Sequence, residues 1–184
     1  MLRSYELYYF CVLLILAGCS SKQKTEEKPR VEYDVPSHLS ISKTVYYLIS
    51  HASTKNDKTS ENTELNEQGF EQAAFWGSYF SDKDLDLFYT TPETFAFQTM
   101  IPIVHPYKGQ IRNIDDRFKF SQSLWKSTYS KNVVVISKDL ENISFVNNLL
   151  NREKYHKKDL KNKRYLFKLT IDDNRFIKDS LFTF

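Results

Sequence analysis

KTVYYLIS, residues 43–50, is a nearly unbroken run of β-branched, aromatic and aliphatic side chains that ends at Ser50-His51-Ala52. A strand with apolar residues at both alternating positions has both faces covered, so this segment reads as a buried strand. NVVVIS, residues 132–137, reads the same way and is the most apolar strand of the chain. Between and after these runs the pattern changes period. Asn66 is placed to cap a helix to about Phe80, on which Phe70, Ala73, Ala74 and Gly77 recur at helical spacing. Residues 85–90 form a second strand, and Thr91-Pro92 is expected to open a helix reaching about Val104, with Thr91 as cap and proline at the first helical position. A third strand over 109–114, a short helix over 120–128 and a helix over 140–151 follow. Residues 165–171 and 176–184 read as two strands joined through Asp172-Asp173-Asn174, a hairpin signal.

Strands that alternate with helices predict a three-layer α/β/α domain with a mostly parallel central sheet and an antiparallel C-terminal edge hairpin, spanning residues 43–184. In such sheets the loops beyond the carboxyl ends of the strands build the site, which directs attention to His51, Thr91 and Lys138.

Composition narrows the function. The chain has 184 residues, 41% apolar and 27% charged, which fits one ordinary globular domain. A net charge of +3, with both signs interspersed, gives no argument for nucleic acid. The basic run from Arg152 to Arg164 reads as a solvated connection, with contact to an anionic lipid or polyanion as the alternative. His38, His51, His105 and His156 are scattered, so no metal-ligand spacing exists, and neither a metal nor another cofactor is expected.

The two cysteines, Cys11 and Cys19, both lie near the start. Residues 1–18 have a basic Arg3, an apolar run from Leu7 to Leu16 and small residues at Ala17 and Gly18, the outline of a signal peptide. Leu16-Ala17-Gly18-Cys19 resembles a bacterial lipobox. That resemblance implies cleavage before Cys19 and lipidation of Cys19, a membrane partner through the lipid, and a position on the periplasmic or outer face of a bacterial envelope. Two or three acyl chains hold a protein stably where one does not. The alternative is an uncleaved N-terminal anchor. Residues 19–42 are polar, carry Pro29 and Pro36, and read as a flexible tether.

Across roughly residues 43–172 the motifs resemble the histidine phosphatase superfamily, relatives of phosphoglycerate mutase, and most nearly its short lipoprotein branch. The resemblance is carried in order by Ser50-His51-Ala52, Leu65-Asn66-Glu67-Gln68-Gly69, Tyr89-Thr90-Thr91 with Gln98-Thr99, and Val135-Ile136-Ser137-Lys138. It implies that His51 stands at the phosphoryl-accepting position. It also implies that Ser50 and Phe95 stand where two phosphate-binding arginines belong, and Lys138 where a second histidine belongs. Losing three charge-stabilising groups, each worth about 1.5–3 kcal/mol, removes about a thousand- to a million-fold in rate. The expectation is therefore a pseudophosphatase that binds a phosphorylated small molecule, a glycan or a partner protein. The alternatives are an active phosphatase with His51 as nucleophile and Lys138 as phosphate clamp, and an envelope scaffold. Asp115, Asp116 and Glu93 are the candidate acids. His51 also reads as a strand-end histidine kept by descent, and Lys138 as a lysine reaching solvent.

Overall fold

The computed structural model describes residues 27–35, 42–55, 62–114, 119–160 and 164–184. The expected signal peptide, Cys19, Asp115 and Asp116 lie outside the described residues. Six strands, β1 (Thr44–Ser50), β2 (Leu87–Thr90), β3 (Ile111–Asn113), β4 (Asn132–Ser137), β5 (Tyr165–Ile171) and β6 (Ile177–Thr183), form one sheet in the order β3-β2-β4-β1-β5-β6. β3, β2, β4 and β1 run parallel; β5 lies antiparallel to β1, and β6 antiparallel to β5. The expected mostly parallel sheet with an antiparallel edge hairpin is the observed one.

Alternation along the central strands makes two cores. Tyr46 and Leu48 of β1 join Val133 and Val135 of β4 on one face. Val45, Tyr47 and Ile49 join Val134 and Ile136 on the other. The first face is covered by α3 (Gln122–Thr128) and α4 (Asp139–Leu150), through Trp125, Phe145, Val146 and Leu149. The second is covered by α1 (Glu67–Phe80) and α2 (Thr94–Val104), through Trp76, Phe80, Phe95 and Met100. A last short helix, α5, spans Lys157–Leu160. The layers are the expected α/β/α.

Two expectations are corrected. Helix α2 begins at Thr94, and its N-cap is Glu93 rather than Thr91. The Thr91 N–H donates to the Ile136 carbonyl at 3.2 Å, which keeps the backbone extended beside β4 for another step. The stretch 19–42 is not free tether throughout. Val31 N–H donates to the Arg175 carbonyl at 3.0 Å, Ile177 N–H donates to the Pro29 carbonyl at 2.9 Å, and Val31 is buried in the first core. Tyr33 and Val35, at the alternate positions that follow, pack against the same core.

The loop after β1 is held by α1. Asn66 accepts from Gly69 N–H at 2.8 Å as helix cap, and donates to the Thr54 carbonyl at 2.9 Å. A Cβ on Gly69 would stand 2.0 Å from the Ser53 carbonyl oxygen, so only glycine lets the helix approach this loop. Gly69→Ala is expected to cost about 1–3 kcal/mol as overpacking, read as a lowered denaturant midpoint, whereas alanine at exposed Glu71 should leave the midpoint within error.

Candidate functional site

Ser50, at the end of β1, and Ser137, at the end of β4, are paired in register, so the loops beyond them are neighbours. Beyond β1 lies a cleft of about 640 Å³, whose lining includes Ser50, His51, Ser53, Gln72, Asp139 and Arg164.

His51 Nδ1 lies 2.9 Å from the Ala52 carbonyl oxygen. A carbonyl only accepts, so this contact places a hydrogen on Nδ1; in the neutral imidazole the lone pair is then on Nε2, the tautomer a nucleophilic imidazole needs. The following backbone is fixed from α2: Ala52 N–H donates to Thr99 Oγ1 at 3.0 Å, and Leu65 N–H to Gln98 Oε1 at 2.8 Å. The Gln98-Thr99 pair thus positions the two segments that frame the cleft. Ser53 N–H donates to Gln72 Oε1 at 2.9 Å.

Phe95 is fully buried, and its ring centroid lies 4.3 Å from that of His51 at 53°. The position at which the resemblance expects a guanidinium is filled by an apolar ring packed on the imidazole.

Lys138 does not line the cleft. Its Nζ forms an ion pair with Glu93 Oε1 at 2.5 Å, linking the loops after β4 and β2. Burial by itself raises the Glu93 pKa, but the Lys138 ammonium is among the contacts that more than offset this, and the carboxyl ends below its ordinary value. Glu93, a candidate acid, is therefore held as a carboxylate. The next residue, Asp139, faces the cleft in its stead.

The floor is a buried polar network. Asn142 donates to the Ile49 carbonyl at 3.0 Å and to the Tyr165 hydroxyl at 3.1 Å, and accepts from the Ser137 hydroxyl at 2.7 Å. Tyr165 in turn donates to Asp139 Oδ1 at 2.9 Å. Burial first, and then the Asp139 charge, holds the Tyr165 phenol well above its ordinary pKa, so it stays a donor.

Arg164 was hidden in the basic run that reads as a solvated connection, and here that reading is corrected. It is half-buried, its guanidinium lies 4.3 Å over the Phe75 ring, and its Nε is buried without a hydrogen-bond partner among the described residues. The signal that locates it is topological. β5 runs antiparallel to β1, so the residue entering β5 arrives at the end where His51 stands. Among the described residues no group of three His, Cys, Asp or Glu side chains is arranged to hold a metal ion.

No family model and no curated protein sequence matches the chain. Solved structures do. Phosphoglycerate mutase from Bacillus anthracis superposes with a TM-score of 0.59 at 12% identity, covering 79% of this chain and 94% of that one. The chain carries the histidine phosphatase fold. Phosphoserine phosphatase from Entamoeba histolytica, in complex with 3-phosphoglyceric acid, gives 0.58 at 15% identity, covering 75% and 96%. The protein histidine phosphatase SixA, complexed with tungstate, gives 0.58 at 12% identity, covering 76% and 96%.

The Lys138–Glu93 pair makes a prediction for stability against pH. A depressed folded pKa stabilises above the ordinary value of 4.5, and that contribution is lost as pH falls through the folded value. Glu93→Gln should therefore show a shallower loss of stability between pH 7 and 3 than the parent. At pH 7, Lys138→Ala should cost about 1 kcal/mol, since the Lys138 side chain is 44% exposed. Chemical denaturation across that pH range measures both.

Proposed function

We propose that this protein is a membrane-tethered lipoprotein whose histidine phosphatase-fold domain no longer turns over phosphate esters and uses the His51 cleft for binding. The observation that carries this reading is the Phe95 ring seated on the His51 imidazole where the fold's chemistry calls for a cation. Phosphoryl transfer leaves a protein little covalent work; positioning and neutralisation of charge dominate. Lys138 is committed to Glu93, and Arg164 shares the cleft with the carboxylate of Asp139. Such a cleft has little net positive charge with which to grip a dianion. Hydroxyl and amide groups of Ser50, Ser53, Thr54, Asn66, Gln68 and Gln72 line it, together with Arg164. That chemistry suits a polar, hydroxyl-bearing or zwitterionic ligand better than a bare phosphate.

One observation favours a divergent working phosphatase instead, namely the nucleophile-ready tautomer of His51, with Arg164 lining the same cleft. Hydrolysis of p-nitrophenyl phosphate separates the two. The pseudophosphatase reading expects the same background rate from the parent and from His51→Ala. A rate that His51→Ala abolishes overturns it. Vanadate that raises the melting temperature without turnover would show that the cleft still binds tetrahedral anions, as SixA binds tungstate.

The tether rests on the Leu16-Ala17-Gly18-Cys19 sequence. No helix among the described residues is long and apolar enough to cross a membrane. In a bacterial host, Cys19→Ala should abolish incorporation of labelled palmitate and leave the precursor unprocessed. Retained label would end the lipoprotein reading.

A further inference from the structure

The segment that leads into the domain is clipped to the end of the sheet remote from the cleft. Thr44 at the start of β1 lies opposite Ile171 at the end of β5, so the turn into β6 sits at that remote end. Arg30 bridges to Phe176 there. Val31 and Ile177 exchange backbone bonds with Arg175 and Pro29. The Arg175 guanidinium donates to the Tyr33 carbonyl at 3.2 Å, and Val31 is buried against the first core. From Thr44 to Ser50 the strand climbs about 20 Å, at about 3.3 Å per residue, before it reaches the cleft.

We propose, building on the reading of Cys19 as the lipid anchor, that this clip sets the orientation of the domain. The turn at 172–176 faces the bilayer and the His51 cleft opens away from it. The cleft's ligand then comes from the aqueous phase, not from headgroups of the anchoring leaflet. Chain length supports this. Ten residue steps separate Cys19 from Pro29. Even fully extended they span only about 35 Å. Entry at Ser42 instead of Pro29 would add thirteen residue steps of reach. Turning the cleft toward lipid would spend about 20 Å of the shorter reach on the climb up the side of the domain. The clip itself is local and releasable. Backbone pairing, the Arg175–Tyr33 bond and the packing of Val31, Tyr33 and Val35 on the first core hold it, and a charge at Val31 removes its most buried apolar group.

The test uses the full-length lipidated protein in phosphatidylethanolamine–phosphatidylglycerol vesicles carrying a headgroup-linked acceptor dye. With Cys11 removed in the leader and Cys19 acylated, an introduced cysteine is the sole free thiol. A donor dye is placed at exposed Asn174→Cys, in the turn, or at exposed Gln68→Cys, at the cleft. Energy transfer should be clearly stronger from position 174, consistent with a donor about 20 Å closer to the lipid plane. Val31→Asp and Arg175→Ala should both narrow the difference, the second serving if the first perturbs folding. Equal transfer from the two positions, stronger transfer from position 68, or a difference that neither variant narrows overturns the orienting clip. If parent protein and Cys19→Ala alike fail to float with the vesicles, the lipid-anchor reading itself has failed, and this inference falls with it.

Discussion

The cleft is held in shape by one buried carboxamide. Asn142, on the first turns of α4, ties together the last peptide of β1 at Ile49, the Ser137 hydroxyl of β4 and the Tyr165 hydroxyl of β5. Those three strands are adjacent in the sheet, so a single side chain pins their ends against one another. Each of these groups is buried, and leaving one unpaired would cost about 1–3 kcal/mol. None of the network carries a formal charge except Asp139, which Tyr165 serves from below. The scaffold of the cleft is therefore maintained by neutral hydrogen bonds, independent of whatever charge lines its mouth. Its outline can persist while residues facing the ligand change.

That separation explains which features were legible in the sequence. The strands at 44–50 and 132–137 were readable because both faces are covered, which demands apolar side chains at every position. Asn66 was readable because helix-start chemistry is local, whereas the need for glycine at Gly69 arises from the approach of Ser53, a contact the local sequence does not show. Motif order alone set the expectation that Ser50, Phe95 and Lys138 stand at substituted positions. What Lys138 does could not be, because its partner Glu93 belongs to a different loop and meets it only once β2 and β4 are paired. Arg164 escaped for the same kind of reason. The run before it in sequence is rich in lysine, and only the antiparallel insertion of β5 beside β1 returns it to His51's end of the sheet. The clip was missed although Val31, Tyr33 and Val35 alternate with Glu32 and Asp34 and pack on one core, because three apolar positions among polar ones make a weak strand signal and the backbone pairing that seats them has no side-chain signature.

The start of α2 shows tertiary context overriding a local signal. Thr91-Pro92 is favourable N-cap chemistry, yet the Thr91 N–H is taken by the Ile136 carbonyl, and the helix begins at Thr94. The delay puts Glu93 at the N-cap, where the helix dipole favours a carboxylate and Lys138 can reach it.

The charges around the cleft are consistent with Phe95. A cleft built for a dianion carries surplus positive charge, which in the empty state repels itself and is tolerated because the ligand compensates it. If Phe95 stands where the resemblance implies a guanidinium, a dianion finds less compensation in this cleft. Lys138 is paired with Glu93, Arg164 and Asp139 both line the cleft with the Arg164 guanidinium over the Phe75 ring, and the imidazole of His51 packs on Phe95 with its Nδ1 turned to the Ala52 carbonyl. A single arginine lost by drift would leave the rest of the pocket cationic. On the binding reading proposed above, a cleft lined mainly by hydroxyl and amide groups suits a polar but not strongly anionic ligand.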